Sequence, residues 1–502
     1  MWTRERLLVL FATTCAISLV FLNTTLLPIA LPTIERELLV SKEGLQWIIN
    51  SYLLSTAVFV IAGGRLGDLF GHRRLFCIGM SLYAFASILG GFASTSWWLI
   101  MSRSIQGLGG ALMSPASLSM IIHTFPPERR GRAVGFMVAI GSLFLSLGPF
   151  IGGVFTQLLS WRWSFWCNFP VAIAGITFIL KGVEPSKKRD ESFDFIGFFI
   201  TSLGLSALIF GLMQGKSWGW HSPLILALFS ISVIFLGGAC FLERFAKEPF
   251  FDFQLFKNPI FLGGTILVFC AQFILMITVF WPIFFQKILG LTPIIAGLYT
   301  AIATVPLMIV APLSGSFSDR YGPRIPIALG FSLAIFCFAW FFFFAHCHNI
   351  HLLIPSLITF GAGVSCVMTP AGTATLSSVP RSKTGVATGM YNMIRFTGAT
   401  MGVAILGSIQ NNAQEDAFLR FMKGNPVTKN LDPSLYEGLL VNLPSAKAAF
   451  SELTPTTGVL VKDFLYHASS LAFSFVNIIV GVVAIVALMV GLIFFKSRKV
   501  VK

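Results

Sequence analysis

The residues best placed to do chemistry in this 502-residue chain are two arginines set inside apolar runs, Arg103 in 97–122 and Arg395 in 383–411. All twenty Asp and Glu residues fall at the ends of such runs or between them. A charged side chain at the centre of a bilayer costs at least about 2.5–3.5 kcal/mol, so each arginine must face a wet cavity or a partner. Without a deep carboxylate, a cavity holding them favours neutral or anionic amphiphiles over organic cations. Asn23, Gln46, Trp47, Asn50, Tyr52, Gln106, Gln272 and Asn392 offer hydrogen bonds and rings to line a cavity. Taken singly, each serves equally well as a bridge between helices. The cluster His346-Cys347-His348-x2-His351 has metal-ligand residue types but no deep carboxylate beside it, and it is read as an interfacial loop with no metal assigned.

A second group of charges occurs twice. Gly64-x-x-x-Asp68-x-x-Gly71-x-Arg73, followed by Arg74, returns as Gly315-x-x-x-Asp319-x-x-Gly322-x-Arg324. Met113-Ser114-Pro115-Ala116 is echoed by Met368-Thr369-Pro370-Ala371, and Gly131-x-Ala133 by Gly385-x-Ala387, all at offsets of about 250 residues. Three ordered matches mark a duplicated half. An acid at a helix end can pair with basic groups or a helix N-terminus across the seam between halves and hold one state until the contact breaks; Asp68 and Arg74 are the expected gating residues. In the fifth apolar run, Gly141-x6-Gly148-Pro149-x2-Gly152-Gly153 permits close backbone approach and a bend, as a helix sealing against its neighbour requires.

The elements that must carry these groups are membrane helices. The chain is 55% hydrophobic and 11% charged, with a mean hydropathy of +0.83. About 20 apolar residues cross a bilayer core. Hydropathy predicts about fourteen such spans: 7–32, 44–64, 74–92, 97–122, 131–156, 162–182, 194–214, 223–242, 258–287, 293–318, 324–345, 350–372, 383–411 and 469–496. Arg4 and Arg6 before the first run resemble a signal peptide, but no small-residue cleavage site follows, and a retained helix ending at Pro28 and Pro32 is expected. With a cytoplasmic N-terminus, twenty-three basic residues fall on that side, against Arg36, Lys42, Arg162, Lys216 and Lys287 in the short outer loops. That bias puts both termini in the cytoplasm. The formal charge of +15 punctuates apolar runs instead of gathering on one soluble face, which argues against nucleic acid as partner. The expected organisation is an all-α polytopic membrane protein with a six-helix bundle over 1–182, a linker with two inserted helices over 183–257, and a second six-helix bundle over 258–502 with a long outer loop at 412–468.

The loop from Gly64 to Arg74, with its second copy, resembles the signature loop of the major facilitator superfamily, and the glycines of the fifth helix resemble its antiporter motif. The resemblance extends over essentially the whole chain to fourteen-helix drug:proton antiporters of the EmrB/QacA type. It is carried by Ala30-Leu31-Pro32-x-Ile34, Gln46-Trp47-x4-Tyr52, Arg103-x2-Gln106-Gly107-x-Gly109, Trp161-Arg162-Trp163-x-Phe165-x2-Asn168-x-Pro170, Asp194-x2-Gly197, Gly385-x3-Gly389, Arg395-x2-Gly398 and Gly402. It implies a major facilitator fold, alternating access, proton-driven export of small amphipathic molecules across a bacterial inner membrane, and a role in proton transfer for Arg103. Drugs and an endogenous anionic, siderophore-like metabolite both fit as cargo. Such exporters often work with a periplasmic adaptor protein. One departure bears on coupling: family members commonly carry an aspartate where this chain has Asn23. An importer or symporter on the same fold is the alternative, which the antiporter-like helix argues against. A membrane-embedded metalloenzyme or a non-transporting sensor has less behind it, because nucleotide loops, catalytic triads and paired deep acids are missing and no cofactor is called for.

Overall fold

A computed structural model describes residues 3–182, 194–215, 218–242, 251–344, 350–380, 383–425, 428 and 455–495. Among the described residues the chain is all-α. Six helices come first: α1 (Arg4–Leu38), α2 (Lys42–Phe70), α3 (His72–Gly91), α4 (Ser96–Thr124), α5 (Pro127–Val154) and α6 (Asn168–Gly182). A pair follows, α7 (Phe195–Gln214) and α8 (Pro223–Leu242). The remainder is α9 (Pro259–Leu275) continuing across Met276 into α10 (Ile277–Lys287), then α11 (Pro293–Tyr321), α12 (Arg324–Phe344), α13 (Ile354–Ser377), α14 (Thr384–Gly424) and α15 (Pro455–Phe494).

Local chemistry sets the helix ends. Thr3, Ser41, Thr95, Asp194 and Asn258 each cap a helix by accepting a backbone N–H from the first turn, which satisfies donors that would otherwise be orphaned. The repeated signature glycines have a backbone reason. Gly71 separates α2 from α3 at φ +93°, and Gly322 separates α11 from α12 at φ +86°. A residue with a Cβ pays a steric penalty there, so glycine makes the sharp reversal between consecutive helices.

Thirteen helical stretches among the described residues are long and apolar enough to span a membrane, α9 and α10 together forming one of them. The expected fourteenth span is α14, whose Asn392, Arg395, Gln410, Asn411 and Gln414 lower its hydropathy. It tolerates them because α2, α9 and α15 cover it. Two sequence boundaries are corrected. Pro28 and Pro32 lie inside α1, which continues to Leu38. Each proline removes one intrahelical hydrogen bond, to the carbonyl four residues earlier at Thr24 and Pro28, and the helix continues through both; between the prolines, Ile29 O also accepts from Gln286 Nε2 at 2.9 Å. The outer segment 412–468 is helical at both ends, since α14 reaches Gly424 and α15 starts at Pro455. Between them, residues 426, 427 and 429–454 lie outside the described residues, as does the expected hinge from Glu184 to Glu191.

Within the first group α1 packs on α5 and α6, and α4 packs between α2 and α3; in the last group α13 packs between α11 and α12. The two groups meet along three lines, α5 on α11, α2 on α14 and α1 on α10. Of the inserted pair, α7 lies against α2 and α14, and α8 packs on α7.

Candidate functional site

Arg103 sits at the centre of a polar network enclosed by the first group. Its side chain is 1% exposed. Nε donates to Ile48 O at 3.2 Å, NH1 donates to Gln106 Oε1 at 2.6 Å, and the guanidinium lies 4.3 Å from the Tyr52 ring centroid. Gln106 Nε2 then donates to Ser87 Oγ at 2.7 Å, Asn168 Nδ2 donates to the same Oγ at 3.3 Å, and Asn23 Nδ2 donates to Asn168 Oδ1 at 2.8 Å. The chain Arg103–Gln106–Ser87–Asn168–Asn23 therefore links α4, α3, α6 and α1. Every member beyond the arginine is electrically neutral. A fork of donors satisfied by a carbonyl, an amide and an aromatic face is the arrangement in which a buried guanidinium persists without a counter-ion.

Arg395, on α14 in the other group, is half-buried, with its Cζ 4.8 Å from the Phe396 ring centroid and an Nε that is buried without a hydrogen bond.

The antiporter-like glycines form the seam. A Cβ on Gly148 would meet Thr25 Oγ1, and one on Gly152 would stand 2.5 Å from Leu26 O, so these two glycines admit α1. Thr25 Oγ1 also donates to Leu145 O at 2.8 Å. Gly141 faces Ile17 and Phe21 of the same helix. Gly153 turns to α11, where a Cβ would lie 2.6 Å from Pro293 O; reciprocally, a Cβ on Gly297 would meet Pro149 O. About two turns further in, Ser146 Oγ donates to Thr304 O at 2.9 Å while Thr304 Oγ1 donates to Ser146 O at 3.1 Å. Along the same face of α5 toward the signature loops, Ala139 and Gly135 are exposed, and a Cβ on Gly135 would meet nothing within 4 Å. The two helices thus touch at the end away from the signature loops and part toward them.

At that closed end, charges join the groups. Lys287 Nζ of α10 pairs with Glu35 Oε2 of α1 at 2.5 Å, and the carboxylate is wholly buried. Lys42 Nζ donates to Gln414 Oε1 at 2.9 Å. A cavity of about 690 Å³ lies beside these contacts, between the ends of α1, α2, α10, α14 and α15.

Of the amides and rings expected around a cavity, Gln46 lines this one. Trp47 and Asn50 instead face the inserted pair: Trp47 packs on Phe210 with centroids 5.1 Å apart, and Asn50 Nδ2 lies 3.0 Å from Met213 Sδ. Asn23, Tyr52 and Gln106 belong to the arginine network, Gln272 is buried in α9, and Asn392 Nδ2 donates to Thr388 O within its own helix. In the signature loop, Asp68 Oδ1 pairs with His72 Nε2 at 3.2 Å, and Arg73 donates to Leu180 O at 3.2 Å, near the end of α6 in the same group. Gly64 faces Pro115 and Gly315 faces Thr369, matching environments in the two copies. Arg74 and Asp319 are exposed, and Arg324 is half-exposed at the start of α12. Of the histidine cluster, His346, Cys347 and His348 lie outside the described residues, while His351 Nδ1 lies 3.2 Å from Tyr299 Oη.

Residues 13–403 match the family model of the Major Facilitator Superfamily. The chain belongs to this superfamily. Its relatives within it include the multidrug resistance protein Stp of Mycobacterium tuberculosis (strain CDC 1551 / Oshkosh), 32% identical over 81% of this chain and 76% of that protein. The tetracenomycin C resistance and export protein of Streptomyces glaucescens is 29% identical over 82% of this chain and 77% of that one. The same major facilitator fold is found in a bacterial homologue of the human lysosomal transporter Spinster, in an inward-facing and unoccupied conformation, with a TM-score of 0.67 at 16% identity over 99% of both chains. The D-xylose–proton symporter shares it at a TM-score of 0.59 and 15% identity, over 90% of this chain and 99% of that one. The protein is accordingly a multi-pass membrane transporter of the major facilitator fold, not an enzyme.

Sequence reasoning missed Glu35 and Lys287. The signal available was an acid directly after the Ala30-Leu31-Pro32-x-Ile34 segment, since a carboxylate near a helix end invites a partner.

Proposed function

We propose that the chain is a proton-driven exporter of small neutral or anionic amphiphiles, working by alternating access in a bacterial inner membrane with both termini cytoplasmic. Kinship with drug-resistance and export proteins over about four-fifths of the chain carries the export reading. The preference against cations rests on the neutral network, in which Asn23 pairs with Asn168 where such exporters commonly have a carboxylate. The orientation is supported by the excess of basic residues at the signature-loop end. In that orientation the seam at Ser146 and Thr304 closes the periplasmic side, and the parted ends of α5 and α11 face the cytoplasm. The gating role of Asp68, Arg74, Asp319 and Arg324 belongs to the same reading, since these residues lie where the two groups separate.

Inverted vesicles under an imposed proton gradient provide the test. A carboxylate-bearing compound is expected to compete for uptake better than a quaternary ammonium dye of similar size, and uptake is expected to stop when the gradient is collapsed. The opposite ranking of the two competitors would refute the substrate class, and uptake indifferent to the gradient would refute the coupling.

A further inference from the structure

The basic residues at the closed end are not scattered. Positive charge is scarce there, and of the five cations the topology assigns to its short loops, Arg36, Lys42 and Lys287 converge on the single cavity of about 690 Å³. Of the other two, Arg162 is held by Glu37 at 3.0 Å and Lys216 lies outside the described residues. Among the described residues no acid lines the cavity; Glu35, paired with Lys287, is wholly buried. Arg36 spends its guanidinium on Pro32 O and Thr33 Oγ1, both neutral, and so keeps its full charge for the cavity rim.

The remaining wall is apolar, with Phe280 and Ile283 of α10 and Leu465 of α15. The Oε1 of Gln410, at the wall, is buried without a hydrogen-bond donor. Leaving a buried polar atom unpaired costs on the order of 1–3 kcal/mol, a penalty that a ligand or water hydrogen bond removes. A drug-sized volume with a cationic rim, an unpaired amide and an apolar floor is built for a molecule with an anionic head and a hydrophobic body.

We propose that this cavity, separate from the arginine network, is a binding site that takes amphipathic organic anions such as carboxylates or sulfonates on an aromatic or aliphatic body. It deepens the export reading by naming a station at the closed end of the path, and it rests on that reading only for its role in release. The head group lies among Arg36, Lys42 and Lys287, and the body lies on Phe280 and Ile283. Because Lys287 and Lys42 also join the two groups, an anion seated here competes for the charges that hold this end shut.

The test uses the full chain in lipid nanodiscs and two probes with one ring system: anilinonaphthalene sulfonate, an anion, and N-phenylnaphthylamine, which lacks the sulfonate. After subtraction of empty nanodiscs, the anion is expected to bind at least about tenfold more tightly, and the double variant Arg36→Gln/Lys42→Gln is expected to collapse that difference. Equal affinities for the two probes, or an anion affinity unchanged in the double variant, overturns the proposal. Should charge removal disturb assembly, Ile283→Trp narrows the space for the ring body and is expected to weaken both probes about fivefold or more; unchanged binding overturns the proposal equally. Equilibrium binding needs no transport. A chain that separates the probes but exports neither therefore sinks the export reading and keeps the site, while export without discrimination does the reverse.

Discussion

Replacing Arg103 by alanine is expected to bring efflux to the background of cells without the protein and to lower the stability of the purified chain. The side chain is enclosed, and its two hydrogen bonds run to different elements, Ile48 on the neighbouring α2 and Gln106 one turn along α4. Hydrogen bonds from a charged donor contribute about 1.5–3 kcal/mol each, and a desolvated guanidinium over an aromatic ring adds about 2 kcal/mol. Their loss also strands Gln106 Oε1 in a dry interior, where its other end still binds Ser87. Arg103→Lys separates charge from geometry. Lysine keeps the positive charge but not the fork, so it is expected to recover part of the stability while transport stays low. Thermal unfolding of the detergent-solubilised protein and efflux assays on matched membrane levels read the two effects. Efflux above half the wild-type rate in Arg103→Ala would show that neither the charge nor the network is needed.

Lys287→Met is expected to be costly in a different way. Glu35 is wholly buried and Lys287 supplies its cation across the seam. Breaking a buried pair from one side costs about 3–5 kcal/mol, because the remaining charge is left in a low-dielectric site. Glu35→Met leaves the half-exposed lysine, which can turn to water, and is expected to cost less. The double variant Glu35→Met/Lys287→Met is expected to recover most of the loss, since well-packed apolar residues often replace a buried pair at little net cost. A double-mutant cycle on unfolding free energies measures the coupling. A cost under about 1 kcal/mol for Lys287→Met alone would mean that Glu35 does not depend on the pair for its charge.

The helices, the duplicated loop and the need of Arg103 for partners were legible in the sequence because each follows from a local property. Apolar length marks a span, a glycine at a helix junction marks a left-handed turn, and a charge inside an apolar run demands compensation. The partners themselves were not legible. Nothing in the order of residues ties Glu35 to Lys287, or Ser146 to Thr304, because only the packing of one group on the other brings them together. Trp47 and Asn50 carry the residue types of a binding cavity, yet the inserted α7 covers that face of α2, an arrangement that a six-plus-six repeat does not disclose. Pro28 and Pro32 looked like a stop for the same reason: the helices that pack around α1 and carry it through both prolines to Leu38, α5, α6 and α10 among them, come from distant parts of the chain.

The account depends most on the seam between α5 and α11 opening at the end where it is now closed. Spin labels at Gln157 and Leu298, both exposed at that end on opposite sides of the seam, measure it directly. With the protein in nanodiscs, a second and longer distance is expected when substrate and protons are supplied, matched by a shorter one between labels at Ala139 and Pro312 at the other end. One unchanged distance at both ends in protein that still transports would contradict the account.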